Sequence, residues 1–150
     1  MSYLVDTNVL LRLFDLSDSR NPEVVAALDV LTDRTEEIYL CAQVMIEYWV
    51  VSTRPKESNG MGLGVAEADE VLSKIEKLFP CLPEPPDIAH IWRKIVKKHS
   101  ACGKQAHDAR LAALMTARGV EYILTLNPGD FARYEGITPV TPQEVVLARP

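Results

Sequence analysis

Residues 3 to 11 read Tyr3-Leu4-Val5-Asp6-Thr7-Asn8-Val9-Leu10-Leu11. The first three residues are apolar, include no glycine or proline and are too few for a helix, which is typical of a buried strand. From Val9 onward the apolar residues recur at helical spacing. Because Asp6, Thr7 and Asn8 can each cap that helix, the strand is predicted to end at the acid.

Asp6 then has two interpretations. In open parallel sheets, ligands bind in the crevice at the carboxyl ends of the strands, and Asp6 is predicted to lie there. A carboxylate at that point can also serve as a helix cap and nothing more. Only the other polar residues of the chain can separate a functional acid from a structural one.

Strand and helix patterns alternate from one end of the chain to the other. Strand-like runs recur at 38–41, 121–125 and 137–140, and helical patterns at 21–34, 42–53, 65–78, 86–96 and 106–118. This alternation predicts an α/β fold with a mostly parallel, short-stranded sheet and helices on both of its faces. The length of 150 residues fits one domain covering 1–150.

The overall charge limits the functions that the chain can have. The formal net charge is −5, which argues against binding nucleic acid through a broad basic surface. The charge is compatible with an enzyme whose clustered acids hold metal ions that bind phosphates. No segment is long and apolar enough to span a membrane, and the N-terminus does not resemble a signal peptide.

The three cysteines are predicted to be free thiols. Cys41, Cys81 and Cys102 lie far apart, form no CxxC pair and are odd in number, so a disulfide framework is not expected. A reducing cytoplasm suits such a chain. The apolar surroundings of Cys41 and Cys81 predict that both are buried and inert.

Glu47 is the most informative single residue between 42 and 53. Its neighbours are apolar on nearly every side, so this helix is predicted to be packed on most of its surface. An ionised glutamate in such surroundings costs several kcal/mol unless it is paired or bound to a metal. The alternative is a glutamate that reaches solvent, or forms a salt bridge, at the edge of the helix.

Further acids follow later in the chain. Asp108 lies in the first turns of a helix, where the helix dipole also favours an acid, and Asn127 and Asp130 follow a strand. Carboxylates gathered at one edge of a sheet raise each other's pKa, and a divalent cation relieves this repulsion. Oxygen donors without histidine or cysteine predict Mg²⁺ or Mn²⁺.

Four stretches, taken in order, resemble the PIN-domain ribonucleases, and most closely the VapC toxins of bacterial toxin–antitoxin pairs. They are Asp6-Thr7-Asn8, Glu47 in its apolar helix, His107-Asp108-Ala109, and Thr125-Leu126-Asn127-Pro128-Gly129-Asp130-Phe131. The resemblance spans the chain. It implies a PIN-like three-layer α/β/α sandwich, cleavage of RNA dependent on Mg²⁺ or Mn²⁺, a cytoplasmic homodimer, and inhibition by a small antitoxin protein.

The resemblance also implies roles for individual residues. Asp6, Glu47 and Asp108 match the three central acids, of which Asp6 and Asp108 would hold the metal. Asn127 stands where many members have a fourth acid, and Asp130 can supply the charge that it lacks. The supporting polar residues would be Thr7, Asn8 and Thr125.

The remaining sequence-based hypotheses concern substrate binding and rival functions. A run of basic residues is usually just the solvent-exposed face of a helix. The basic residues best placed in the sequence to contact RNA are Arg93, Lys97, Lys98 and Lys104. The alternatives are a housekeeping PIN-domain nuclease that processes RNA, and a non-catalytic PIN-like binding scaffold. A magnesium phosphohydrolase of the DxD type is disfavoured because Asn8 replaces its second acid.

Overall fold

A computed structural model describes residues 1–148, so the last two residues of the predicted domain, 149 and 150, lie outside the described residues. The strands are β1 (Ser2–Val5), β2 (Glu37–Tyr39), β3 (Tyr122–Leu124) and β4 (Thr138–Val140). The helices are α1 (Thr7–Leu13), α2 (Asn21–Asp33), α3 (Ala42–Thr53), α4 (Val65–Leu78), α5 (Ile88–Lys98), α6 (Gln105–Arg118) and α7 (Pro142–Leu147). Short 3-10 turns lie at Lys56–Ser58 and Pro128–Asp130.

The four strands form one parallel sheet in the order β2-β1-β3-β4. The chain moves outward from β1 to β2 and then returns past β1 to β3. Cys81 forms a parallel bridge with Leu40 beyond β2, so the order reverses only after this point, and right-handed crossovers then put α1–α4 on one face of the sheet and α5 and α6 on the other. The parallel α/β prediction is confirmed, and the strand that contains Pro139 lies at an edge of the sheet, where proline is tolerated.

The reversal of strand order also positions the site. β1 and β3 are the two central strands, and the amide of Asp6 donates to the carbonyl of Leu124 at 3.0 Å. Leu4, Val5, Ile123 and Leu124 have no solvent-exposed surface. The buried carboxyl ends of two strands therefore lie side by side, and the polar residues that follow them are fixed on a rigid base.

One face of α3 is open to solvent, and one sequence-based prediction about burial, that for Cys81, is wrong. Ile46 and Val50 on α3 are 63% and 52% exposed, so one face of this helix is not packed. An apolar composition cannot tell a covered face from one left open to solvent or to a partner. Cys81 is exposed, since it lies beyond the edge strand β2 and is joined to the sheet only by an isolated bridge to Leu40. Cys41 is buried, as expected.

Candidate functional site

Asp6 is the first side chain beyond β1, and it is 8% exposed. It takes an extended conformation and caps α1, with Oδ1 accepting from the amide of Thr7 at 2.7 Å. Its other oxygen, Oδ2, accepts from Thr125 Oγ1 at 2.7 Å and from Asn8 Nδ2 at 3.0 Å. Both carboxylate oxygens are thus held, and the side chain links the ends of two strands as well as capping a helix.

Asn8 and Thr125 complete this connection between the strand ends. Asn8 Oδ1 accepts from the amide of Leu126 at 3.0 Å, while its Nδ2 is also 3.3 Å from Thr125 Oγ1. The fully buried Thr125 hydroxyl accepts from the amide of Asn127 at 3.1 Å. The backbone that follows β3 is therefore aligned against Asp6 by direct hydrogen bonds.

Glu47 reaches the same end of the sheet from α3. Its Oε2 accepts from Thr7 Oγ1 at 2.9 Å, and its Oε1 accepts from Gln43 Nε2 at 2.9 Å. The side chain is partly buried. Its immediate partners in the protein are thus neutral donors, which orient the carboxylate without neutralising its charge.

Asp108 joins the group from the first turns of α6, and its side chain is partly buried. Burial, and then the negative charges of Asp130, Asp6 and Glu47, raise its pKa to about 6. The pKa of Asp6 is also raised to about 6, first by burial and then by Glu47 and Asp130, against the hydrogen bonds from Thr125 and Thr7. Four acids from separate segments are thus near enough for their charges to repel.

The residues that follow β3 are more open. Asn127 and Asp130 are both exposed, at the start and end of the Pro128–Asp130 turn. Asp130 nevertheless contributes negative charge to both Asp6 and Asp108. The side chain of Asn127 makes no hydrogen bond among the described residues, so its amide is oriented only by the backbone.

The four predicted basic residues have different surroundings. Arg93 and Lys97 line a groove of about 400 Å³ on α5, together with His90 and Lys94. Lys98 instead forms an ion pair with Glu135 at 2.7 Å. Lys104 is the residue that precedes α6, at its amino end.

Across residues 1–148, no three or more His, Cys, Asp and Glu side chains are arranged so that they could hold a metal ion together. Two observations still fit a divalent cation at the strand ends. The donors are carboxylate oxygens, which Mg²⁺ and Mn²⁺ prefer. In addition, a bound cation would relieve the repulsion that helps raise the pKa of Asp6 and of Asp108.

Sequence reasoning missed one chain of contacts behind Glu47. Gln43 is buried; its Nε2 donates to the carbonyl of His107 at 2.8 Å, and its Oε1 accepts from Arg110 Nη1 at 3.0 Å. Arg110 in turn forms an ion pair with Glu84. The spacing of Gln43 and Glu47, four residues apart on one helix, is the only sequence signal that could have linked them.

Comparisons with known proteins give a family and several structural neighbours. The family model described as the PIN domain matches residues 3–137. No curated protein sequence matches the chain.

The similar solved structures share the fold at low sequence identity. A chain of the VapBC2 complex from Rickettsia felis, bound to a DNA fragment from its promoter, has 14% identity and a TM-score of 0.70, with 94% of this chain and 98% of that one covered. FitAcB from Neisseria gonorrhoeae has 24% identity, a TM-score of 0.64 and coverage of 94% and 98%. VapBC-1 from nontypeable Haemophilus influenzae has 14% identity, a TM-score of 0.63 and coverage of 95% and 99%.

Proposed function

The chain belongs to the PIN-domain family, a family of nucleases that generally depend on divalent metal ions, and from this premise we propose that it is a Mg²⁺- or Mn²⁺-dependent endoribonuclease. The observation that carries the proposal is the gathering of partly buried acids at the strand ends. Burial raises the pKa of Asp6 and of Asp108 to about 6, and the charges of Glu47 and Asp130 add to both shifts. Acids whose pKa is shifted by burial and by one another are characteristic of functional sites.

We assign the role of metal ligands to Asp6 and Asp108. A divalent ion bound there would neutralise charge on the scissile phosphate and lower the pKa of a bound water. Asp6 Oδ1 and Oδ2 are already oriented by Thr7, Asn8 and Thr125. Because their rotation is restricted, these oxygens can bind a cation with little further loss of side-chain entropy.

Glu47 has two roles open to it in this proposal. It either adds a ligand to the ion or accepts, at a carboxylate oxygen, the proton of the water that attacks phosphorus. In that reaction the water oxygen forms a bond to phosphorus while the bond to the leaving ribose oxygen breaks. Each Glu47 oxygen accepts one hydrogen bond, from Thr7 or from Gln43, which leaves lone pairs for either role.

We propose that substrate binding uses the basic groove on α5. Arg93 and Lys97 line this groove and can meet the phosphates of RNA. Trp92, on the same helix, donates its Nε1 hydrogen to the carbonyl of Ala106 at 2.8 Å, two residues before Asp108. This bond ties α5 to the start of α6, so it fixes the basic helix relative to the segment that carries Asp108.

We further propose that residues 1–150 act as a single PIN domain, in the cytoplasm, as the toxin of a toxin–antitoxin pair. The structural neighbours include VapBC complexes, which supports a small antitoxin as the partner. The exposed Ile46 and Val50 side chains on α3 support a protein contact, which we assign to a homodimer. Within residues 1–148, no helix has the length and apolarity needed to cross a membrane.

Incubation of the purified protein with total cellular RNA tests the proposed activity. RNA should be cut internally in the presence of Mg²⁺, cleavage should stop on addition of EDTA, and added Mn²⁺ should restore it. Mapping of the new ends would give the cleavage site. Cleavage that continues in EDTA would contradict metal dependence, and intact RNA at every metal concentration would favour the scaffold alternative.

A further inference from the structure

Gln43 is a buried polar side chain behind Glu47. It lies on α3, is 6% exposed, and its amide group makes three hydrogen bonds. Nε2 donates to Glu47 Oε1 at 2.9 Å and to the carbonyl of His107 at 2.8 Å, while Oε1 accepts from Arg110 Nη1 at 3.0 Å. A buried amide with all of these groups satisfied is a rigid connection between α3 and α6.

Arg110 fixes which way this amide points. A guanidinium can only donate hydrogen bonds, so the group of Gln43 that faces it must be the carbonyl oxygen. Arg110 is itself held by its ion pair with Glu84, from the segment between α4 and α5. The NH₂ group of Gln43 is therefore left facing its two acceptors, Glu47 and the His107 carbonyl.

The two acceptors belong to different helices of the site. Glu47 is an acid on α3, and His107 directly precedes Asp108 on α6. A single NH₂ group that donates to both sets the separation between the Glu47 carboxylate and the backbone that carries Asp108. A half-turn of the amide would break both bonds and bring its oxygen against two acceptors.

We infer that Gln43, held in one orientation by Arg110, is a positioning residue that sets the spacing of Glu47 and Asp108 for a divalent ion. This inference rests on the proposed metal-dependent nuclease function. Outer partners that orient metal ligands typically contribute a factor of about 10–100 in metal affinity. Gln43 would touch neither the ion nor the substrate, so replacing its side chain should weaken metal binding without removing the ligands.

Calorimetric titration with Mn²⁺ of the full-length, metal-free protein tests the inference. Gln43→Leu removes the amide at nearly constant volume, and we expect the dissociation constant for Mn²⁺ to rise about 10–100-fold. Arg110→Gln keeps Gln43 but removes the cation that orients it, and a smaller rise is expected. The matched control is Gln143→Leu on α7, which is exposed and should bind Mn²⁺ like the wild type.

A second readout separates positioning from general damage to the fold. If Gln43 only positions ligands, excess Mn²⁺ should return the cleavage rate of Gln43→Leu toward that of the wild type. If that variant does not fold, the titration of Arg110→Gln decides, because Arg110 is partly exposed and at the edge of the site. An unchanged dissociation constant in the folded variants would overturn the role of Gln43 alone, whereas a wild-type protein that binds no Mn²⁺ would overturn the proposed function as well.

Discussion

Asp108→Asn should lower the rate of RNA cleavage roughly 10³-fold, which corresponds to about 4 kcal/mol of lost transition-state stabilisation. The reason is that the variant keeps the shape of the side chain but removes the negative charge that would hold the cation. The fold should survive, because the native carboxyl group is repelled by Asp130, Asp6 and Glu47. The measurement is the initial rate of cleavage of a defined RNA at saturating Mg²⁺.

A matched control for this variant is Asp69→Asn on the exposed surface of α4, which should cleave at the wild-type rate. Thermal melting in EDTA should show Asp108→Asn at least as stable as the wild type. If the toxin assignment is correct, expression of Asp108→Asn in cells should no longer stop growth. Full activity in folded Asp108→Asn would exclude Asp108 from the metal site.

The metal-free protein should lose stability relative to Asp6→Asn as the pH rises from 4 to 7. Burial and the neighbouring acids raise the folded-state pKa of Asp6 from 3.8 to about 6. Between these values the folded protein binds more protons at this residue than the unfolded chain does, so deprotonation favours unfolding. Above pH 6 this effect has lowered the free energy of unfolding by about 3 kcal/mol. Asp6→Asn shows no such loss, because its amide does not titrate.

Urea unfolding in EDTA at a series of pH values measures this difference. Only the change of this difference in unfolding free energy with pH tests the prediction. Asp6→Asn also loses a pH-independent amount of stability, because its NH₂ group can face the donors of Asn8 and Thr125 that bond to Oδ2 in the wild type. Asp33→Asn on the exposed side of α2 is the control, and its free energy of unfolding should change with pH as that of the wild type does. A pH-independent difference between Asp6→Asn and wild type would mean that Asp6 is not destabilised by burial and like charges.

The fold could be predicted from the sequence because its signals are local. The change from an apolar run to Asp6 marks a strand end and a helix start, and Gly119, in a left-handed conformation, ends α6 as expected. Other signals depended on what lies nearby in space. Asn21 is of the residue type that caps helices, but it is the first residue of α2, and its side chain instead donates to the carbonyls of Arg12 and Leu13.

The candidate site could be predicted only in part, for the same reason. Acids at strand ends stand out in a sequence, whereas Gln43, Arg110 and Glu84 look like ordinary surface residues until the fold brings them together. Their contacts span 67 and 26 residues of chain. No periodicity or spacing rule connects residues so far apart, so the support behind Glu47 is visible only in three dimensions.

We propose that the fold gathers Asp6, Glu47 and Asp108 so that they share one divalent cation. The most direct test is a crystal structure grown with Mn²⁺, with the ion located by its anomalous scattering. We expect an anomalous peak coordinated by a carboxylate oxygen of Asp6 and one of Asp108, with Glu47 a direct ligand or one water molecule away. A peak elsewhere, or no peak while these carboxylates point apart, would contradict it.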